Sequence, residues 1–362
     1  MKRLINIVLL TVTIIVGSCF VGAALGGRVD PRFWSWPGVL AMTFPIWAVA
    51  LVIVTVLAIV ARSWISLCLC VLAWIIGHSG VKNAMPLNTA LKQSSDDTPT
   101  LSLLTYNVYG FRDFSGNPIE GLNPTVSAIL ASGVSVVAIQ ECVPLEKSLP
   151  MLGYTSSQVD SIKKAYPYRS FKGNSMGILS RYPISEIKIS EKPDGSAVFA
   201  GWRIDVDGLP VDLYSVHLQS FELNGEDKQL YRNLTDGGDL KRNVKEARQS
   251  LLPKVASALR SHADEGEMLE RIIAADTCRR VILCGDFNDV AGSYVADYIQ
   301  SRCNMRSAWA DSGSGFTWTY RVNRFYFHID HIFYRGTGRP IHTRRLRTGV
   351  SDHYPLETVF QL

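Results

Sequence analysis

The stretch Val281-Ile282-Leu283-Cys284-Gly285-Asp286-Phe287-Asn288 is an apolar run that ends in a glycine and two polar residues. This pattern predicts a buried strand that leads into a polar site. Side chains at alternate positions of an extended segment point the same way, so Asp286 and Asn288 can converge on one ligand. Near the C-terminus, Ser351-Asp352-His353-Tyr354-Pro355 adds an oxygen ligand and a group that titrates near neutrality. Because charged groups at strand ends are costly without a partner, the two stretches predict a site for a metal and a phosphate.

Three apolar segments, 4–27, 38–61 and 64–79, lie at the start of this chain of 362 residues. The first two are long enough to cross a hydrocarbon core of about 30 Å at about 1.5 Å per residue, and the third is at about the lower limit. We therefore expect residues 1–80 to form a transmembrane region with about three helices, followed by a linker over 81–99. The alternative is a hairpin buried in a protein core.

The basic residues beside these segments predict the orientation of a three-span region. Lys2, Arg3 and Arg62 would lie in the cytoplasm, against Arg28 and Arg32 on the other side. Everything after residue 80 is then expected outside the cytoplasm. Two alternatives concern the first segment alone: it could be a cleaved signal peptide, or a lipid could be attached at Cys19, which ends a loose match to a bacterial lipoprotein motif.

The net charge of +5 comes mainly from the N-terminal region. Residues 1–99 hold seven of the 37 Lys and Arg and three of the 32 Asp and Glu, so the remaining residues hold 30 and 29. A net charge of +1 argues against a bulk electrostatic footprint for DNA and leaves only local patches. The seven cysteines show neither metal-ligand spacing nor a disulfide framework.

From Leu101 onward, short strand-like runs alternate with a few helical segments. The runs are Leu101–Val108, Val134–Ile139, Gly177–Leu179, Val198–Val206, Val211–Leu218, Val281–Cys284, Phe327–Phe333 and Leu356–Phe360. Helical periodicity appears at about 121–131 and across roughly 240–275. The pattern predicts a single α/β domain built on packed sheets. The polar segment 219–245 is expected to be mainly a loop at the rim of a site, since it follows a strand that bears His217.

Polar residues of one chemical kind follow these runs or lie inside them. They are Asn107, Glu141, His217, Asp286, Asn288, Asp330, Asp352 and His353. Each has an ordinary alternative, such as a turn for Asn107, an exposed charge for Glu141 or a buried core position for His217. Asp286 with Asn288 could form an Asx turn, and Asp330 could pair with a nearby arginine. The set favours a functional site, because a structural protein has no reason to collect these groups at strand ends.

In the order of these motifs the chain resembles the endonuclease/exonuclease/phosphatase superfamily, which includes deoxyribonuclease-I-like nucleases, neutral sphingomyelinases and inositol phosphatases. The motifs are Asn107, Gln140-Glu141, Ser215-Val216-His217-Leu218, Gly285-Asp286-Phe287-Asn288, Asp330 and Ser351-Asp352-His353, with Ser180-Arg181-Tyr182-Pro183 as a further match. The resemblance covers roughly residues 100–362. It implies a four-layer α/β sandwich with two central mixed sheets and a site at one edge, preceded here by the N-terminal helices.

The resemblance also implies a metal site. Glu141 would be the principal ligand of Mg²⁺ or Mn²⁺, assisted by Asn107 and Asp352. Such a set of oxygen ligands suits a hard cation that keeps several waters while it holds a phosphate oxygen.

The same resemblance implies catalytic roles for five residues. Asp286 would orient or deprotonate the attacking water, and Asn288 would hold a phosphate oxygen. His353, oriented by Asp330, would face the scissile phosphate, and His217 would protonate the leaving oxygen. Whether Asp286 or His353 is the base stays open, because the two would titrate as a coupled pair.

The predicted function is a divalent-metal-dependent hydrolase of phosphate esters, chiefly a phosphodiesterase acting on nucleic acid or on a phospholipid headgroup. A lipid headgroup fits the membrane anchor, and a nuclease fits the motifs equally well. The alternative from another class is a catalytically inactive, membrane-anchored binder of phosphorylated ligands. We expect a multi-pass protein of the bacterial inner membrane with its catalytic domain, residues 100–362, outside the cytoplasm, and no protein partner.

Two features of the sequence have no assigned role. Asn174 is predicted only to contact substrate. Seven arginines lie between 321 and 347, either on a solvated surface or as a contact to phosphate groups. They are Arg321, Arg324, Arg335, Arg339, Arg344, Arg345 and Arg347.

Overall fold

The computed structural model describes residues 2–89, 98–113, 116–117, 119, 121–142, 155–173, 175–191, 193, 195–235, 240–322, 325–348 and 351–362. Asn174, Arg324 and residues 90–97 of the expected linker lie outside the described residues.

Five helices form the N-terminal region. They are α1 (Lys2–Leu25), α2 (Trp36–Met42), α3 (Phe44–Val60), α4 (Trp64–Ile76) and α5 (His78–Ala84), with a 3-10 turn at Gly26–Arg28. Among the described residues, only the helix over Arg3–Arg28 is by itself long and apolar enough to cross a membrane. Helices α2 and α3 meet at 67° and α4 and α5 at 58°, so up to three spans result only if each bent pair is one span. The sequence predicted about three helices here, and the structure divides each of the second and third apolar segments into two helices.

The bends have local causes in the sequence. Pro45 stands in the first turn of α3, where the missing N–H is tolerated, and Thr43 just before the helix has φ −93° and ψ 5°, outside helical geometry. At the second bend, a Cβ on Gly77 would lie 2.3 Å from the ring of Phe20, and one on Gly80 would lie 2.9 Å from Ala24. Glycine at these positions lets α5 pack closely against the end of α1.

Two six-stranded mixed sheets form the centre of residues 100–362. The first sheet holds β1 (Thr100–Asn107), β2 (Val136–Gln140), β3 (Tyr168–Lys172), β4 (Met176–Ser180), β13 (Arg339–Arg345) and β14 (Leu356–Gln361), in the order β13-β14-β1-β2-β4-β3. The second holds β5 (Ile184–Glu186), β6 (Val198–Val206), β7 (Leu209–His217), β8 (Arg280–Asp286), β9 (Arg306–Ser307) and β12 (Asp330–Gly336), in the order β5-β6-β7-β8-β12-β9. The pairs β1–β2 and β7–β8 are parallel, and all other neighbours are antiparallel.

Alternation along the strands builds the layers. On β1, Leu101 and Leu103 join the core between the two sheets, while Leu104 and Tyr106 face the opposite way, into a second core. That second core is covered by α6 (Pro124–Ser132) and α7 (Ser156–Ala165). A third core lies between the second sheet and two helices, α10 (Leu251–Ala274) and α11 (Tyr294–Arg302). The result is the predicted four-layer α/β sandwich, with helices on both outer faces of two packed sheets.

The segment 219–245 is not mainly a loop. It contains α8 (Gly225–Thr235), and α9 (Leu240–Gln249) begins within it. Asn224 and Asp227 each accept a hydrogen bond from the other's backbone N–H at 2.9 Å, which is a capping box. The polar composition concealed a helix whose few apolar residues, such as Leu230, pack on α9 and α10.

The run Phe327–Phe333 is not one strand. Its start belongs to a separate two-stranded sheet of β10 (Tyr320–Val322) and β11 (Phe325–Phe327), and β12 begins only at Asp330. A short helix, α12 (Ala308–Ser312), precedes this hairpin.

The N-terminal region packs directly on the α/β sandwich. Arg32, in the segment after α1, pairs with Asp264 at 3.0 Å and with Glu267 at 2.6 Å, both on α10. Part of the expected linker is also in contact: Asn88 donates to the carbonyl of Gly313 at 2.9 Å, and Leu87 forms a β-bridge with Ser314.

Candidate active site

The inward faces of five strands change from apolar to polar at one edge of the sandwich. The alternating series are Leu101, Leu103, Thr105 and Asn107 on β1; Val136, Ala138 and Gln140 on β2; Val211, Leu213, Ser215 and His217 on β7; Ile282, Cys284 and Asp286 on β8; and, in reverse, Tyr334, Ile332 and Asp330 on β12. Because the parallel pairs end at the same edge, their last side chains meet between the sheets. The apolar core therefore ends in a layer of polar and charged groups.

Gly285 makes the close strand pairing at this edge possible. Its φ of +140° is open mainly to glycine, and a Cβ there would lie 2.0 Å from the carbonyl oxygen of Val216 on β7. The glycine thus places Asp286 beside the end of β7, where His217 and Asp286 are in register.

Asp286 lies at the centre of the cluster and is fully buried. Its two carboxylate oxygens accept hydrogen bonds from the side chain of Asn107 at 2.9 Å and from the backbone N–H of Asn288 at 2.9 Å. Oδ2 also lies 3.5 Å from Nε2 of His353 and 3.7 Å from Nε2 of His217. Burial alone would raise the pKa of Asp286, but the two histidines and these hydrogen bonds lower it below its ordinary value. The ionised carboxylate is the form that this environment favours.

His353 is held between two carboxylates. Its Nδ1 lies 2.8 Å from Oδ2 of Asp330, and its ring packs edge-on against Tyr320 at 5.1 Å between centroids. Burial opposes a charged ring, but Asp330 and Asp286 outweigh it and hold the pKa of His353 well above its usual value. Asp330 and His353 thus act as one pair, in which the carboxylate fixes the orientation of the imidazole.

Glu141 and His217 stand at the mouth of the cluster. Nε2 of His217 lies 3.7 Å from Oε1 of Glu141, and the same glutamate oxygen accepts a hydrogen bond from Asn107 at 2.8 Å. Asn107 therefore bridges the carboxylates of Glu141 and Asp286 through its amide nitrogen. Its oxygen accepts a hydrogen bond from the backbone N–H of Tyr109 at 3.1 Å.

Asp352 adds a further acidic group from the opposite side of the site. The neighbouring Ser351 donates its hydroxyl to the carbonyl of Asn107 at 2.8 Å, which attaches the C-terminal motif to the end of β1. Burial raises the pKa of Asp352, and the charges of Glu141 and Asp286 raise it further, although His353 opposes them. A buried carboxylate whose pKa is raised by neighbouring carboxylates fits a site for a hard cation.

Ligand atoms of Glu141, His217 and Asp286 all lie within 4.8 Å of one another, and so do those of Asp286, Asp330 and His353. The first group includes Glu141, whose partly exposed carboxylate is accessible to a divalent ion. The second is the hydrogen-bonded His–Asp arrangement described above, so we do not assign it to a metal.

Two residues of the cluster have strained backbones. Glu141 and Asn288 have φ of +51° and +48°, in the left-handed region that costs a residue with a Cβ about 1 kcal/mol or more. The carbonyl of Glu141 accepts a hydrogen bond from Gly110 at 2.9 Å, and the side chain of Asn288 donates to the carbonyl of Leu218 at 3.0 Å. These bonds hold each residue at the end of its strand.

The structure brings together the eight residues singled out in the sequence. It also shows residues that the sequence did not reveal. Tyr320 packs on His353, and the hydroxyl of Thr319 accepts hydrogen bonds from the backbone N–H groups of Ile329 and Asp330, both at 3.0 Å. Neither follows a long apolar run, so their role appears only once the β10–β11 hairpin is placed.

Most described arginines of the run 321–347 are held by other groups. Arg321 stacks on Tyr354 at 4.1 Å and donates to its hydroxyl, while Arg344 pairs with Glu357 at 3.1 Å. Arg345 donates to the carbonyl of Trp318. These contacts favour a structural role for the arginines over a free phosphate-binding patch.

Residues 104–353 match the model of the Endonuclease/Exonuclease/phosphatase family. The match spans more than half of the chain, which therefore belongs to this family. No curated protein matches the chain.

Several solved structures share the fold at low identity. A D. rerio TDP2 complexed with single-strand DNA product is 16% identical, with a TM-score of 0.46, over 73% of this chain and 99% of that one. The human Nocturnin catalytic domain with bound sulfate is 15% identical, with a TM-score of 0.46, over 74% and 96%. A family protein from Leptotrichia buccalis C-1013-b is 15% identical, with a TM-score of 0.47, over 72% and 100%. The family assignment rests on the family match and not on these likenesses.

At the level of the family, the chain is a metal-dependent phosphoester hydrolase, and members typically use divalent ions. The clustered acidic and histidine side chains agree with that chemistry.

Proposed function

We propose that this chain is a membrane-anchored, divalent-metal-dependent phosphodiesterase, organised as helices over 1–80, a linker over 81–99 and a catalytic domain over 100–362. The observation that carries the proposal is the environment of Asp286. This ionised carboxylate is fixed by two hydrogen bonds and lies within 3.7 Å of two histidines, His217 at the end of β7 and His353 in the segment before β14.

Glu141 and Asp352 would hold Mg²⁺ or Mn²⁺, with the amide oxygen of Asn107 as a further ligand after rotation of its side chain. When bound, such an ion neutralises charge on the phosphate and polarises it toward attack. The mutual repulsion of these carboxylates supports this assignment, because a cation removes it.

The protein's own groups supply the remaining chemistry. Asp286, held by Asn107 and Asn288, would orient the attacking water and accept its proton. His353 would stay protonated beside Asp330 and stabilise the negative charge of the transition state. The lowered pKa of Asp286 and the raised pKa of His353 support giving the role of base to Asp286. His217 would donate a proton to the leaving oxygen, and Asn288 would hold a phosphate oxygen.

Exposed apolar side chains support the membrane anchor. Large apolar residues cover the outer faces of α1, α3 and α4, among them Leu4, Ile5, Ile14, Ile53, Val60, Trp64 and Ile75. An apolar surface of this extent is unusual for a soluble monomer and fits contact with lipid. Helix α1 would be one span, and the bent pairs would pack beside it as further spans. The contact of Arg32 with α10 supports placing the segment after α1 on the same side as the catalytic domain.

The test is hydrolysis of bis(p-nitrophenyl) phosphate by the full chain in detergent micelles, first with EDTA and then with Mg²⁺ or Mn²⁺. We expect activity only with the metal, and a loss of about 100-fold or more in kcat for Asp286→Asn and Glu141→Gln. Glu226→Gln, an exposed glutamate on α8, is the matched control and should keep full activity. Full activity in either site variant, or in EDTA, would contradict the proposal.

Metal binding can be measured without catalysis. Because a ligand that binds the folded state stabilises it, Mg²⁺ should raise the Tm of the wild type and of Glu226→Gln. The shift should be absent in Glu141→Gln. An equal shift in all three proteins would remove Glu141 from the metal site.

A further inference from the structure

A cavity of about 210 Å³ lies between the N-terminal helices and the catalytic domain. On the helical side it is lined by Ala23 and Ala24 of α1, by Ala41, Met42, Phe44, Pro45 and Ile46 around the bend between α2 and α3, and by Gly80 and Ala84 of α5. The small residues of α1 and α5 face the bend across this space. Apolar cavities of about 150 Å³ stay dry and bind small apolar molecules.

The catalytic domain supplies the opposite wall. The wall is formed by residues 290–292, by Phe316 and by residues 326–328, with Tyr231 of α8 stacked on Phe325 beside it. Both segments lead straight into the active site. Val290 is two residues from Asn288 and His328 is two residues from Asp330, so the backbones are at most about 7 Å apart.

The mouth of the cavity is continuous with the surface that we assign to lipid. Ile46 lines the cavity and is 67% exposed, on the same helix as the lipid-facing residues of α3. Phe316 and Tyr326 line it from the catalytic domain and are 44% and 53% exposed. An apolar path therefore runs from the outer face of the helices into the space behind the active site.

His328 lines the cavity but offers it no accessible polar atom. It is buried, and both ring nitrogens are inaccessible and have no hydrogen-bond partner among the described residues. Burial lowers the pKa of His328 well below its usual value, so the ring is neutral. A neutral ring whose nitrogens are closed off keeps this part of the lining apolar.

We infer that this cavity binds the hydrocarbon chain of a bilayer lipid. A lipid chain fits the apolar lining and the continuity of the cavity with the lipid-facing helices. The inference rests on the proposed membrane placement and not on the chemistry of the active site.

The test uses the full chain in vesicles of phosphatidylethanolamine and phosphatidylglycerol, doped with a phosphatidylglycerol that carries a diazirine on one acyl chain. After illumination, mass spectrometry should find crosslinks in peptides that contain residues 290–292 and 326–328. A Cβ on Gly292 meets no atom within 4 Å, so Gly292→Phe can place its ring in the cavity. It should lower these crosslinks at least about fivefold.

Gly225→Phe is the matched control, because Gly225 also has open space around its Cβ but does not line the cavity. It should leave the crosslinks unchanged. Crosslinks confined to the outer faces of α1 and α3, or equal yields in Gly292→Phe and the wild type, would overturn the inference. Hydrolysis of the soluble ester bis(p-nitrophenyl) phosphate is measured in the same samples. Soluble hydrolysis without cavity crosslinks would refute this inference alone, and crosslinks without hydrolysis would refute the proposed chemistry alone.

Discussion

Nε2 of His353 lies 3.5 Å from the carboxylate of Asp286, while Nδ1 of the same ring lies 2.8 Å from Asp330. One imidazole thus joins two buried acids that come from neighbouring strands of the second sheet. The arrangement fixes which nitrogen points at the reaction and ties the protonation of His353 to the charge of Asp330.

Replacing Asp330 should therefore shift the pH dependence of activity. Asp330→Asn removes a charge that raises the pKa of His353, so the protonated ring is lost at a lower pH. The fall of kcat/KM on the basic side should move to lower pH, with a loss of about 10- to 100-fold at pH 8 and a smaller loss at pH 6. Asp160→Asn, an exposed position on α7, should keep the wild-type profile. An unshifted profile for Asp330→Asn would separate the two residues functionally.

Gly285 should not accept a side chain. In Gly285→Ala the new Cβ meets the carbonyl of Val216 at 2.0 Å, in a backbone conformation that alanine rarely adopts. We expect a loss of about 3 kcal/mol in the free energy of unfolding, seen as a lower Tm. Gly292→Ala, with open space at Cβ, should change the Tm little. Similar Tm values for the two variants would show that the β7–β8 edge adapts.

Glu265 should make the protein less stable as pH rises. It is buried on α10, and burial raises its pKa to about 7 from 4.5. The charge of His262 and a hydrogen bond from the backbone N–H of Gln219 oppose this shift. The pKa of Glu265 is higher in the folded protein than in the unfolded chain. Its contribution to folding stability is therefore present below about pH 4.5 and is lost as pH rises through about 7. Glu265→Gln should gain about 2 kcal/mol relative to the wild type between pH 5 and pH 8. Tm values at both pH values, with Glu226→Gln as the control, measure this.

His328 and His331 offer a paired test of the unpaired imidazole. In delipidated protein, His328→Leu removes a buried imidazole that has no hydrogen-bond partner among the described residues, and it should raise stability by about 1 kcal/mol. His331→Leu should lower stability, because Nε2 of His331 bonds to the carbonyl of Asp289 at 2.9 Å. Thermal unfolding in detergent distinguishes the two, and a lower Tm for both would mean that His328 is satisfied in the protein.

Strong local patterns made much of the fold predictable. The strand Val198–Val206 was predicted with its observed bounds, and the helix at 121–131 lies at Pro124–Ser132, where the side chain of Asn123 caps its first turn. Short or half-exposed elements were missed. The strand Tyr168–Lys172 has no buried residue and forms the sheet edge, so its pairing with β4 depends on tertiary contacts.

In the candidate site, too, residues on strong apolar patterns were predicted and residues on short elements were missed. Asp286 was found because it ends an apolar run, and His353 because it leads into one. The end of β8 and the start of β14, which pairs antiparallel with β1, lie at the same edge of the sandwich. Tyr320 and Thr319 could not be found in this way, since they reach the site through a small hairpin that lies outside both large sheets. The roles given to the eight residues stay predictions until the variants are measured.

Arg32 reaches Asp264 and Glu267 from the end of α1, and Lys82 reaches Asp311 from α5. Ion pairs at two separate points thus hold the α/β domain against the N-terminal helices. With the proposed anchor inserted in a bilayer, these contacts would keep the candidate site at a fixed height above the membrane. Turnover of any substrate carried in that membrane should then follow its surface density and not its concentration in bulk solution.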